Sequence, residues 1–253
     1  MLSSSYIKLI NSLRFKKYRD RNKLFVIEGD KLVSEYLASG KPVKLLLALP
    51  SWIEKKDRAL LSSAREIISV SESELIKVSQ LTTPQGTLAL VEMEHFIPDI
   101  ESLEDKLSII LDNIQDPGNL GTIIRIAAWF GIENIICSYG TVDVYNPKTI
   151  QSSMGAHLHV NTYFTDLHDT FAQAAKLNIP VYAATLDGEP VKNIDKTHNG
   201  FLLFGNESRG VSEELMTYVT QKISIPPFKK AQAGIDSLNV AMSAAIICSE
   251  FRR

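Results

Sequence analysis

The sequence is poor in sulfur, lacks long apolar runs and carries none of the usual glycine-rich phosphate signatures. Two of the 253 residues are cysteine, Cys137 and Cys248, both in apolar surroundings. That excludes the disulfide scaffold of a small secreted domain and suits a cytoplasmic protein with reduced core thiols. No stretch approaches the roughly 20 apolar residues that span a bilayer. Met1 to Ile10 also lacks the charged start and apolar run of a secretory signal, so no membrane partner is expected. There is no G-x-G-x-x-G after a strand and no Walker lysine loop, which removes the common readings of dinucleotide binding and triphosphate hydrolysis. No G-x-S-x-G elbow points to acyl transfer. The histidines are few: His157 and His159 fall on one face of an expected strand with no cysteine or further histidine near them, so no metal is expected.

What is present is divided unevenly. The net charge of -2 conceals a first part, residues 1 to 98, with 15 Lys+Arg against 11 Asp+Glu, and a remainder with 12 against 18. A basic module able to meet an anionic partner therefore precedes a module with another task. In the first part, Tyr6, Leu9, Ile10 and Leu13 recur at helical spacing, predicting a helix over Ser3 to Lys17. It runs into RFKKYRDRNK, where Arg14, Lys16, Lys17, Arg19, Arg21 and Lys23 are interleaved with Phe15 and Tyr18. This cluster either grips phosphates and stacks an unpaired base, or is the solvated end of a helix. Strands are expected at Leu24 to Gly29, Val43 to Leu49, Glu66 to Val70 and Gly86 to Met93. Helices are expected at Asp30 to Ser39 and Ser51 to Ser63, and from a Ser71/Glu74 capping box through Leu81. An acidic, proline-broken stretch, Glu94 to Asp105, reads as the linker.

The second part alternates strand and helix, which predicts a mostly parallel sheet covered on both faces. Leu107 to Leu111 is an apolar strand ending in Asp112 and Asn113. Asp116 and Pro117 then open a helix that Gly131 terminates. Strands follow at Asn134 to Cys137, His157 to Phe164 and Val181 to Leu186, with short helices at Asn146 to Met154 and Asp166 to Leu177. The last fifth carries the densest signal. Phe201 to Phe204 runs as a buried strand into Gly205 and Gly210, which enclose Asn206, Glu207, Ser208 and Arg209. Lys222 to Ile225 is a strand stopped by Pro226 and Pro227. Ser237 suits the N-cap of an almost wholly apolar helix. Three segments, Asn119 to Arg125, Gly205 to Gly210 and Ile225 to Asn239, thus meet at strand ends, where open α/β sheets bind ligands. They offer a cation, a carboxylate, amides, hydroxyls and apolar walls, which suits a small, partly apolar cofactor held largely by backbone groups.

DNIQDPGNLGTIIRIAAWFG, FLLFGNESRG and ISIPPF followed by SLNV resemble the three motifs of the SpoU (TrmH) family of RNA ribose 2'-O-methyltransferases, within the SPOUT class. The resemblance covers Leu107 to Phe251, and YRDRNKLFVIEG is similar to the small substrate-binding domain that many members carry. It implies an α/β fold with a C-terminal trefoil knot, S-adenosylmethionine as cofactor, a homodimer, and an RNA partner, ribosomal RNA before transfer RNA. The implied domains are residues 1–98, binding RNA, and 106–253, transferring methyl groups. By resemblance the catalytic set is Asn119, Arg125, Glu207, Ser237 and Asn239. The implied cofactor contacts are Leu203, Gly205, Asn206, Ile225, Pro227, Ser237 and Leu238. Arg125 would stabilise the alkoxide as the ribose 2'-hydroxyl attacks the sulfonium methyl, since a guanidinium is hardly ever deprotonated and so is no base. Glu207 would orient Arg125 or accept the proton through water. Two departures, Ala241 in place of a common serine and a longer link through Lys229 and Lys230, keep open an RNA-binding ribosome-assembly factor with impaired catalysis.

Overall fold

The computed structural model describes residues 2–228 and 237–253. The chain forms two compact units: residues 1–94 with 145–158, and residues 95–144 with 159–253.

Unit 1 starts with α1 (Ser4–Ser12) and α2 (Lys16–Asn22), where one helix is expected from the sequence. The break lies at Leu13 to Phe15, and Phe15 is extended with φ -99°. Arg19 accounts for it. Its Nη1 donates to the carbonyls of Leu13 and Arg14, each at 2.9 Å, satisfying acceptors that the interrupted helix leaves open. Then follow β1 (Leu24–Glu28), α3 (Asp30–Ala38), β2 (Val43–Ala48), α4 (Pro50–Ile53), α5 (Arg58–Leu61), β3 (Ile67–Ser69), α6 (Glu72–Ile76) and β4 (Thr87–Glu92). The helix expected over Ser51 to Ser63 is split, because Asp57 caps a new start by accepting from Ala59 N at 2.9 Å. The Ser71/Glu74 capping box forms in full.

The four strands order as β1-β4-β2-β3, antiparallel except for the β2/β3 pair. Strand periodicity assigns each side chain to a face. Phe25, Ile27, Leu46, Ala48, Ala89 and Val91 fill one core. Leu24, Val26, Leu45, Leu47, Leu88 and Leu90 fill the other. Both faces of this small sheet are therefore covered.

Unit 2 contains β5 (Leu107–Leu111), α7 (Pro117–Trp129) and β6 (Asn134–Ser138). The chain then returns to unit 1 through α8 (Pro147–Ser153) and a 3-10 turn at Ala156–Leu158, an excursion that a single boundary near residues 94–105 does not capture. Ile150 joins the core of Phe25 and Ile27, and Tyr145 packs on Phe25 with ring centroids 4.5 Å apart. His157 lies in the turn rather than on a strand. Its Nε2 meets the Tyr36 hydroxyl at 2.6 Å and its Nδ1 the Ser153 hydroxyl at 2.8 Å, which makes it a packing histidine. Among the described residues no group of three His, Cys, Asp or Glu could hold a metal.

Unit 2 resumes with β7 (Asn161–Thr165), α9 (Leu167–Lys176), β8 (Val181–Pro190), β9 (Gly200–Phe204), β10 (Gln221–Ser224) and α10 (Val240–Phe251). The six strands order as β10-β8-β9-β5-β6-β7, and every pair is parallel. Central β5 and β9 are buried throughout while edge strand β7 is not, so the apolar runs in the sequence mark the middle of the sheet. β8 extends past the expected Leu186. Its pairing with β10 jumps from Ala183 to Glu189, and Gly188 allows it, since a Cβ there would lie 2.6 Å from the backbone of Ile223. From β5 the connection runs toward β6, whereas from neighbouring β9 it runs toward β10. The sheet therefore has its switch point between β5 and β9. The threading implied by the resemblance involves the link between β10 and α10, and residues 229–236 of it, with Lys229 and Lys230, lie outside the described residues.

Candidate functional site

The carboxyl ends of β5 and β9 are tied together by side chains far apart in sequence. After β5, Asn113 takes the left-handed conformation with φ 61°, and its carbonyl accepts from Asn206 Nδ2 at 2.8 Å. Asn206 Oδ1 accepts from the N–H groups of Ser208 and Arg209 at 3.0 and 3.1 Å, shaping the loop after β9. Gly205 is required here: a Cβ would collide with the backbone of Gly210 and Val211. Buried Asp112 closes the same junction by accepting from the N–H and hydroxyl of Ser212 at 2.8 and 2.6 Å.

That loop aims Glu207 at the start of α7. One carboxylate oxygen accepts from Asn119 Nδ2 at 2.9 Å and from Asp116 N at 3.3 Å, and the other from Gln115 N at 3.3 Å. A negative charge at a helix N-terminus is favourable because unpaired N–H groups and the helix dipole converge there. Burial pushes the Glu207 carboxyl up, but the Asn119 side chain and the N–H groups of Glu207, Gln115 and Asp116 outweigh it, so its pKa lies below the ordinary value. Asn119 passes the connection on. Its Oδ1 accepts from Asn239 Nδ2 at 3.0 Å, and Asn239 Oδ1 accepts from the N–H groups of Ala241 and Met242. Glu207, Asn119 and Asn239 thus form a continuous hydrogen-bonded chain across three separate motifs.

The other expected site residues differ in burial and position. Asn239, not Ser237, is the N-cap of α10, and Ser237 is exposed two residues before it. Leu203 is fully buried within β9, and its side chain packs in the core. Ile225 is half-buried, whereas Pro227 and Leu238 are exposed on the link between β10 and α10. Leu238 is 50% exposed, and Phe228 beside Pro227 is exposed as well, giving this edge apolar groups open to solvent. Arg125 is exposed on α7, six residues beyond Asn119 and so about 120° round the helix from it. Ala241 is buried at the start of α10, its N–H already capped.

In unit 1 the basic cluster separates by function of each side chain. Arg19 is 2% exposed and committed to backbone carbonyls, so it is a structural residue and not an RNA contact. Lys16 pairs with Asp20 at 3.1 Å. Arg14, Lys17, Arg21 and Lys23 are exposed, as are Phe15 and Tyr18, whose rings meet edge to face.

Sequence reasoning missed Gln115, whose Nε2 donates to Asn113 Oδ1 and to the Gly140 carbonyl, each at 2.7 Å. It also missed the Asp112–Ser212 clasp. The Asp-Asn pair that ends an otherwise apolar strand was the one local signal for either.

Residues 106–249 match the model of the SpoU rRNA Methylase family, and residues 4–89 that of the MRM3-like substrate binding domain. The chain is 31% identical to the 23S rRNA (guanosine(2553)-2'-O)-methyltransferase RlmP of Bacillus subtilis, covering 97% of this chain and 95% of that one. Its structure is similar to that of an RNA methyltransferase of the TrmH family from Porphyromonas gingivalis, with a TM-score of 0.88, 36% identity, and coverage of 100% and 99%. It is also similar to an rRNA methyltransferase from Sinorhizobium meliloti solved with S-adenosylmethionine bound, with a TM-score of 0.83, 27% identity, and coverage of 100% and 96%.

Proposed function

The chain belongs to the SpoU rRNA methylase family, and from that premise we propose that it is an S-adenosylmethionine-dependent enzyme methylating ribose 2'-hydroxyls of ribosomal RNA. The observation that carries this reading is the chain from Glu207 through Asn119 to Asn239, which joins the three motifs at the switch point of the sheet. The residues there fit the cofactor. Pro227 and Leu238 present apolar surface for an adenosine, and the Gly205–Gly210 loop brings backbone groups close. The cofactor supplies a methyl group already activated on a sulfonium.

The protein's share is then positioning and charge. Arg125 holds the phosphate beside the target ribose and stabilises the developing alkoxide. Glu207 is a weak base at neutral pH because its pKa is depressed. Its role is to hold Asn119, and through it Asn239 and the start of α10, in register. Asn206 shapes the cofactor loop, and Ser237 lies open beside it.

The same proposal gives unit 1 the task of gripping RNA, through Arg14, Lys17, Arg21 and Lys23 with Phe15 and Tyr18. It includes the C-terminal trefoil knot implied by the resemblance. A homodimer is supported by α10, which leaves Met242 and Ile246 exposed one turn apart on a helix whose other residues are buried or half-buried. No helix among the described residues is long and apolar enough to cross a membrane. The unpaired, buried Cys137 and Cys248 support a cytoplasmic location.

The test is incubation with methyl-labelled S-adenosylmethionine and, separately, ribosomal and transfer RNA from cells lacking the gene, followed by digestion to nucleosides. Label in a 2'-O-methylnucleoside of the ribosomal pool is expected. Label in the transfer pool alone would move the substrate, and absence of label in both would overturn the activity in favour of the assembly-factor reading.

A further inference from the structure

Unit 1 contains a cavity of about 400 Å³ lined by its own residues. Its walls come from four places in the chain: Arg14 between α1 and α2, Glu28 at the end of β1, Gln80 after α6, and Lys148 and Gln151 of α8. The excursion of residues 145–158 into unit 1 therefore closes one side of it. Val26, Leu32 and Ile150 contribute apolar walls. The volume falls within the range of small-molecule pockets, and the composition, apolar walls with a few convergent polar groups, is typical of them.

The polar groups are built in. Glu28 accepts from the Ser79 hydroxyl at 2.5 Å and from Gln80 N at 2.6 Å, and Arg14 donates to the Ser79 carbonyl at 2.9 Å. Together they fix the segment carrying Gln80. The side chain of Gln80 is held there with its Nε2 buried and lacking a hydrogen-bond partner. That nitrogen is enclosed behind the cavity surface, so a ligand reaches it only when the Gln80 side chain turns, a movement that would relieve the cost of a buried donor without an acceptor. Arg14 and Lys148 add positive charge to the same lining.

We propose that this cavity receives one unstacked nucleobase of the RNA substrate, with the Gln80 side chain turning to donate to an acceptor on the base edge and Arg14 and Lys148 facing the attached phosphate. A base stacked in a helix presents no edge deep enough for such a cleft, whereas single-stranded loops splay bases into pockets of this kind. The exposed rings of Phe15 and Tyr18 follow Arg14 in the chain and offer stacking surface to neighbouring bases. This inference rests on the RNA substrate proposed above, yet it concerns recognition and not methyl transfer.

Two measurements test it on the full chain. In the first, the side-chain amide signals of Gln80 and Gln151 are followed by NMR while the four nucleoside 5'-monophosphates, four hexaribonucleotides of single base type, and an abasic hexamer are added separately. Saturable shifts with at least one base-bearing hexamer and none with the abasic hexamer are expected. Shifts with monophosphates alone would assign the cavity to a free nucleotide and overturn the RNA assignment, and no shift with any probe would overturn the site. In the second, Gln80→Leu and Gln80→Glu are compared with wild type in methyl transfer to ribosomal RNA. Loss of one hydrogen bond to the base should raise KM for RNA roughly tenfold while kcat and cofactor affinity stay put. An unchanged KM in both variants would overturn the cavity proposal and leave the methyltransferase reading intact. Absence of methyl transfer by the wild type would break that reading, while the amide titration still decides the cavity.

Discussion

The two candidate sites invert each other. In unit 2 the important residues are scattered over about half the chain, and folding gathers Asn119, Glu207 and Asn239 into one hydrogen-bonded line. In unit 1 the six basic residues lie within ten positions of one another, and folding separates them into a buried staple, a paired lysine and exposed cations. Proximity in sequence is a poor guide to shared function when a helix is short and broken. Spaced motifs, each at the end of a parallel strand, are a better one, because the sheet delivers all its strand ends to one edge.

The largest break in this comparison should come from Gly205→Ala. Its Cβ has no room against Gly210 and Val211, so the loop must move and take Glu207 with it. Loss of measurable cofactor binding by calorimetry is expected, with a stability loss of roughly 1–3 kcal/mol in urea titration. Arg125→Ala comes next: methyl transfer should fall roughly 100- to 1000-fold with cofactor affinity unchanged. Turnover near wild type would remove Arg125 from the chemistry.

Arg19→Ala sharpens the other half. It should destabilise the protein by roughly 2–3 kcal/mol, because buried carbonyls at the helix break lose charged donors, and leave the salt dependence of RNA binding as it was. Reversing Lys17, Arg21 and Lys23 to Glu should do the opposite. Stability stays near wild type, and the slope of log affinity against log salt should fall by roughly 2, as expected for three lost contacts to single-stranded RNA. The smallest effect belongs to Lys16→Ala. Its pair with Asp20 is exposed, so thermal unfolding should change by less than about 0.5 kcal/mol.

Much of unit 2 was legible. Apolar runs mark β5 and β9 because parallel strands buried on both faces need no alternation, and the Asp116-Pro117 start of α7 is written in residue types that favour it. The errors share one physical origin, competition between local and distant partners. Ser237 is a reasonable N-cap by type, but Asn239 caps α10 because it also reaches Asn119, 120 positions away. The helix expected through Lys17 breaks because Arg19 turns back onto its carbonyls, which helical periodicity does not reveal. The passage of residues 145–158 into unit 1 depends on Tyr145, Ile150 and His157 finding Phe25 and Tyr36, contacts that no local pattern announces. Ala241 looked like a lost site hydroxyl. It is buried with its N–H capped, so the start of α10 stands without one.

The most direct test of the gathered site is a double-mutant cycle on Asn119→Ala and Glu207→Gln, read as single-turnover methyl transfer from S-adenosylmethionine to ribosomal RNA. Residues that act through one hydrogen-bonded chain lose their effect together. Each single variant should slow transfer roughly tenfold, and the double variant should be no slower than the worse of the two. Losses that multiply, about a hundredfold in the double variant, would contradict the account by showing that the two residues act independently.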